Sequence, residues 1–245
     1  MLFSFFRGLR RRRLAKQPMP AAWEPLIESR LPFTEGYAPD ELQRFRLHLK
    51  VFALEKDWVG VHGLVVTDEM KVIISGAAAR LARNLDLDVY EALRSMVIYP
   101  AAFQQPEGGE VRLGEAHRWG QVILSWDSVK AGLANPSDGR DTAVHELAHV
   151  LDAAAGIFDG TPTLHRVADY QAWAKAFSVA FEALRERPHR HVLRPYGATN
   201  EAEFFAVATE AFFEKPLQLR SKAPELYAEL KRYYRVDPAR RITGA

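Results

Sequence analysis

Residues 142–152 read TAVHELAHVLD, with His145 and His149 four apart and Glu146 directly after the first. On a helix that spacing projects both imidazoles from one face. Two rings so placed can ligate a single zinc ion, which suits imidazole and carboxylate ligands. Glu146 lies about 100° around the helix from His145, beside the metal rather than on it. There it can act as general base, taking a proton from water and passing it to a leaving amine. The chemistry implied is metal-assisted hydrolysis of a peptide bond.

The surrounding residues support a helix. Asp138 or Asp141 can cap its start, Val144, Leu147, Ala148 and Leu151 form an apolar stripe, and Gly156 supplies a stop. Asp152 falls on the same stripe as His145 and His149. It is placed to accept the second N–H of a ligating histidine and so fix its tautomer. A catalytic zinc keeps one position open and takes three protein ligands, so one ligand lies elsewhere. The extended pattern HExxHxxGxxH is excluded, because Asp152 and Ala155 stand at its last two places. His165, His189, His191, Asp159 and Asp169 are candidates. So are the glutamates of "RPYGATNEAEFFAVATEAFFEKP", which reads as a loop and then a helix from about Asn200. On that helix Glu203, Val207, Glu210 and Glu214 share a face opposite Phe204, Ala208, Ala211 and Phe212. Glu203 reads equally well as a ligand or as the partner of Asn200 in a capping box.

The rest of the chain must position these groups. "DELQRFRLHLKVFALEKD" (40–57) carries helical periodicity with Asp40 as N-cap, and a second helix opens at Thr67. A third, short helix is predicted at "DVYEALRSM". Residues 96–100 (MVIYP) and 120–126 (GQVILSW) read as strands, and 110–119 (EVRLGEAHRW) as a further one. Helices resume over about 139–155, 166–186, 200–214 and 222–235. The predicted class is α+β: a mostly helical metallopeptidase fold with a small β-sheet beside the HExxH helix. Residues 23–245 are expected to form one domain, with a helical part (23–95), the sheet (96–126) and a catalytic helical part (138–245). "GQVILSW" is the expected edge strand along which an extended substrate lies.

Among 245 residues there is no cysteine, which excludes disulfides, thiolate metal sites and cysteine nucleophiles. The net charge of +2 conceals a basic cluster, Arg7, Arg10, Arg11, Arg12, Arg13 and Lys16, ahead of the first acid at Glu24. Residues 1–22 are therefore read as a disordered basic arm, capable at most of weak membrane contact. The mildly acidic remainder offers no nucleic-acid face. The N-terminal order, apolar residues before basic ones, is the reverse of a secretory signal, so a cytoplasmic location is expected.

"HELAHVLD", the "DGTP" loop after it and "YGATNEAEFFAV" together resemble the Mlc titration factor A family of bacterial zinc peptidases. "VIYPAAF" and "VILSWDSV" extend the likeness, which covers about residues 40–235 and leaves out the arm. "YGATNEAEFFA" is also similar to a segment of the anthrax lethal factor protease domain. The resemblance implies a zincin-like fold of the gluzincin type, one zinc ion held by His145, His149 and Glu203, and Glu146 as base. It further implies that Tyr196 hydrogen-bonds the oxyanion, that short peptides are cut aminopeptidase-fashion, and that a transcriptional regulator is a possible partner.

Overall fold

The computed structural model describes residues 2–101, 120–154 and 156–243. Four helices precede the sheet: α1 (Leu2–Lys16), α2 (Trp23–Arg30), α3 (Pro39–Glu55) and α4 (Asp68–Leu81). After it come α5 (Trp126–Ala134), α6 (Thr142–Ala153), α7 (Asp169–Glu186) and α8 (Glu201–Glu214). The chain ends with α9 (Pro216–Lys222), α10 (Pro224–Tyr234) and α11 (Pro238–Thr243). Strands β1 (Asp57–Gly60), β2 (Ser95–Tyr99) and β3 (Gln121–Ser125) form a parallel sheet in that order. This is the mostly helical α+β architecture expected from the sequence, and β3 packs against α6, which carries HExxH.

Strand periodicity explains how the sheet meets the core. Met96, Ile98, Val122 and Leu124 are buried, while the residues between them are half-buried or exposed. The register pairs Met96 with Val122 and Ile98 with Leu124, so the four stack on one face. Buried residues from Trp23 to Ala239 belong to one contiguous hydrophobic cluster. At its centre lies α8, buried from Ala202 to Glu214 on all sides. Three buried glutamates on so apolar a helix must each find a polar partner.

The first residues differ from expectation. They are not a disordered arm: residues 2–16 form α1, which docks on α3. Arg11 binds Glu55 through two hydrogen bonds, Nε to Oε1 at 2.8 Å and Nη2 to Oε2 at 3.0 Å, and also pairs with Asp88. Lys50 donates its Nζ to Ala15 O (2.9 Å) and to Gln17 O, at the end of α1, where a cation meets the negative pole of the helix. A run of arginines looks solvated only while its distant acidic partners are unknown.

Smaller corrections concern element ends. The N-cap of α3 is Ala38, not Asp40, because Pro39 occupies the first helical position and Glu41 Oε2 accepts Ala38 N at 3.1 Å. Thr67 caps α4 as predicted, accepting Met70 N at 3.3 Å. "DVYEALRSM" does not form a full helix. A short 3-10 turn (Leu87–Tyr90) ends before Arg94, whose N–H donates to Gly120 O at 2.7 Å as β2 begins. Strand β1 stands where the first helix was extended to residue 57, and the strand proposed at 110–119 lies outside the described residues. Among the described residues no helix is long and apolar enough to cross a membrane.

Candidate metal centre

Two helices build the site. Asp141 starts α6, its Oδ1 accepting Val144 N at 3.0 Å, and every residue from Ala143 to Asp152 is buried. The cap orients His145 and His149 toward α8, which packs directly against α6. At the head of α8, Asn200 Oδ1 accepts Glu203 N at 2.9 Å. The Glu203 carboxylate lies between the histidines. Its Oε2 is 3.0 Å from His145 Nε2 and 3.4 Å from His149 Nε2. Capping and ligation are thus not rivals: Asn200 caps the backbone of Glu203 and leaves the side chain to the site.

The three donor groups fit a metal ion. One ligand atom from each of His145, His149 and Glu203 lies within 4.8 Å of the others, and all three residues are buried. Bonds of about 2.0–2.1 Å in tetrahedral geometry put ligand atoms about 3.3–3.4 Å apart, close to the separations seen. The same contacts set the electrostatics of the cluster. Burial disfavours a charged His145, but hydrogen bonds with Glu203 and Glu210 outweigh it and raise the ring to about 10. Burial lowers His149. Burial also opposes a charged Glu203, yet the two imidazoles hold it well below the usual carboxylate range. Burial pushes Glu146 up to about 7; His145 opposes this, and the nearby Glu203 and Glu210 add to it. A divalent cation held there would offset these crowded carboxylates.

Sequence reasoning put Glu210 on the Glu203 face among the candidate glutamates but did not join it to His145. Glu210 Oε2 accepts His145 Nδ1 at 3.2 Å, which leaves Nε2 for the metal side, and it pairs with Arg194. Its Oε1 accepts Asp141 N at 2.9 Å, and Glu214 Oε2 accepts Arg140 N at 2.9 Å. Arg194 Nε in turn donates to Gly139 O at 3.1 Å. Carboxylates of α8 therefore grip the loop that launches α6 and fix the two ligand helices to each other. Glu210→Ala is expected to weaken metal binding about 10- to 100-fold, the usual cost of losing such an outer partner. Chelator competition on folded protein, checked by circular dichroism, measures it; unchanged affinity sinks the role.

The other candidates divide cleanly. Tyr196 sits on a 3-10 turn (Pro195–Ala198), half-exposed at the site, its ring centroid 6.0 Å from that of His145. Close packing of Gly197 against Val207 and Leu184, 3.2 Å from an added Cβ, brings this turn onto α8. Burial and the adjacent Glu203 carboxylate raise the phenol to about 12, so it keeps its proton at neutral pH. Asp152 is fully buried, and its Oδ2 accepts Gly160 N at 2.9 Å, which ties the following loop to α6. His165 Nε2 bonds Tyr233 O at 2.8 Å, His191 Nδ1 accepts Leu193 N at 3.1 Å, and Asp169 pairs with Arg166. Asp159 Oδ1 accepts Thr161 N at 3.0 Å.

A buried His–His–Glu set on two packed helices beside a small sheet could hold a metal ion, as a metallopeptidase requires. The family described as glucose-regulated metallo-peptidase M90 matches residues 6–235, and the chain belongs to it. The match takes in most of α1, which the sequence resemblance had left out. An uncharacterized protein of Synechocystis sp. is 36% identical over 94% of this chain and 89% of its own length. Mlc titration factor A of Edwardsiella ictaluri is 28% identical over 86% of this chain and 87% of its own. The Mlc titration factor A of Serratia proteamaculans is 26% identical, over 91% and 89%.

Proposed function

We propose that this metallopeptidase is a zinc-dependent peptidase of the gluzincin type that hydrolyses short peptides from their free amino end in the cytoplasm. Residues 23–245 form its catalytic domain. The observation that carries the reading is the Glu203 carboxylate, held 3.0 and 3.4 Å from two histidine nitrogens inside the protein. His145, His149 and Glu203 would hold one zinc ion per chain. When bound, zinc supplies Lewis acidity, which polarises a carbonyl and makes water nucleophilic near neutral pH. Glu146 takes the proton of the attacking water and delivers it to the nitrogen of the departing amine. Tyr196 donates its hydroxyl hydrogen to the oxygen on which negative charge develops. Asp152 is proposed to accept the second N–H of a ligating histidine, while its Oδ2 holds the following loop through Gly160 N. The substrate backbone runs along β3, at the edge of the described sheet, and pairs through main-chain hydrogen bonds.

The name shared by several relatives favours a second reading, a zinc-containing binding protein that sequesters a transcriptional repressor. One experiment separates the two. Purified protein is expected to hold about one zinc per chain, to lose hydrolysis on chelation and to regain it with zinc. Fluorogenic peptides with free and blocked amino ends then report the mode. Cleavage of the free ones alone fits an aminopeptidase, and cleavage of both an endopeptidase. If zinc-loaded protein cleaves none, the peptidase reading fails and the binding role stands.

A further inference from the structure

Between α6 and α7 the chain makes a loop that carries two apolar side chains, Ile157 (66% exposed) and Phe158 (36% exposed). Isolated exposed hydrophobics need no explanation. These two differ in position and in how firmly they are held. The Phe158 ring lies over His149, with centroids 5.1 Å apart and planes inclined at 33°. It therefore adjoins His149, while the Tyr196 ring lies beside His145.

The loop beneath them is pinned at several points. Gly156 and Gly160 have φ of +83° and +78°, a conformation that favours glycine. Gly160 N donates to the buried Asp152 Oδ2 at 2.9 Å. A Cβ on Gly160 would stand 2.3 Å from Glu201 O, so the loop backbone presses directly on the start of α8. Asp159 Oδ1 accepts Thr161 N at 3.0 Å and closes the turn. Both ligand-bearing helices thus grip the loop, and Ile157 and Phe158 are presented from a fixed platform beside the metal centre. An apolar surface already paid for by the fold gains by being covered, and what reaches this position is a side chain next to the reacting bond.

We propose that Ile157 and Phe158 form a preformed apolar subsite that takes an aliphatic or aromatic side chain of the peptide residue adjoining the scissile bond. This rests on the peptidase reading above and names its substrate class. It makes Phe158 a specificity-determining residue, one that selects substrate without taking part in proton transfer.

The test is a set of short peptides that differ only at one of the two residues flanking the scissile bond, carrying Leu, Phe, Ser or Asp there. kcat/KM is measured with zinc-loaded wild type, Phe158→Ala, Phe158→Leu and Ile157→Ser. Wild type is expected to favour Leu and Phe over Ser and Asp by about 10-fold or more at one of the two positions, the scale on which apolar pockets discriminate. Phe158→Ala is expected to cut that ratio several-fold, Ile157→Ser to cut it less, and Phe158→Leu to restore most of it. Zinc content and circular dichroism confirm that each variant is folded and loaded. A wild-type enzyme that cleaves without apolar preference overturns the inference and leaves the peptidase reading intact. So does a Phe158→Ala variant with an unchanged ratio, or one that slows all peptides equally. If wild type cleaves no peptide, both fall together.

Discussion

Glu146→Gln is expected to retain the metal and lose about 10²- to 10⁴-fold in kcat, the range that general acid–base groups contribute. The side chain is buried and sits directly after His145, outside the cluster formed by His145, His149 and Glu203. Gln keeps its shape and removes its ability to carry a proton. Metal content is therefore expected to stay near one per chain while hydrolysis falls. Folding stability should not fall with it, because a neutral amide relieves a buried carboxylate that lies close to Glu203 and Glu210. Equal zinc content, an equal or higher melting temperature and a collapsed kcat form the expected signature. Hydrolysis at the wild-type rate would remove Glu146 from the reaction. A parallel loss of zinc would mean that it holds the metal.

How far the site was legible in the sequence follows from how local each signal is. His145, Glu146 and His149 are read within one turn of helix, where spacing alone sets direction. Asp141 and Asn200 announce themselves as caps in the same way, and the structure gives each its hydrogen bond. Glu203 was only half legible. Its helical face was clear, but whether that face met the histidines depends on how α8 packs on α6. The residue type and spacing say nothing about that packing. Arg194 and Glu210 mark the limit. Their partners, Gly139, Asp141 and His145, lie 55 to 69 positions away in the chain, and no periodicity links them.

The fold shows the same boundary. Long amphipathic segments such as α3, α7 and α10 were read within a few residues of their ends, because burial of one face leaves a repeating pattern. The four-residue strand β1, which begins at the last residue of the predicted helix over 40–57, went unread, being too short to show alternation. "DVYEALRSM" has helical composition, but the pull of pairing with Gly120 and β3 ends it after one turn. The basic start of the chain was misread because Glu55 and Asp88, which neutralise Arg11, are invisible to a reading of residues 1–22 alone.

Glu203→Ala carries the second large effect, and it separates ligand from cap. The cap contact is made by the backbone N–H of Glu203 to Asn200, which Ala preserves. What Ala removes is the carboxylate between His145 and His149. Metal affinity is expected to fall by more than the roughly 100-fold that accompanies loss of an outer partner. Activity falls with it at any practical zinc concentration. The metal-free protein is also expected to lose stability, since deleting one member of a buried charged pair typically costs about 3–5 kcal/mol. Glu203→Gln is the necessary companion: it keeps the volume and a neutral oxygen, so its fold survives while its affinity remains weakened. Chelator competition and thermal melts with and without zinc distinguish the outcomes. Zinc is expected to raise the wild-type melting temperature by stabilising only the folded state, and that rise is expected to shrink sharply in both variants. If Glu203→Ala binds zinc as wild type does, Glu203 is a helix-start residue alone. A carboxylate such as Glu210, turned toward the ion, would then be the third ligand, and the His–His–Glu203 centre would be wrong.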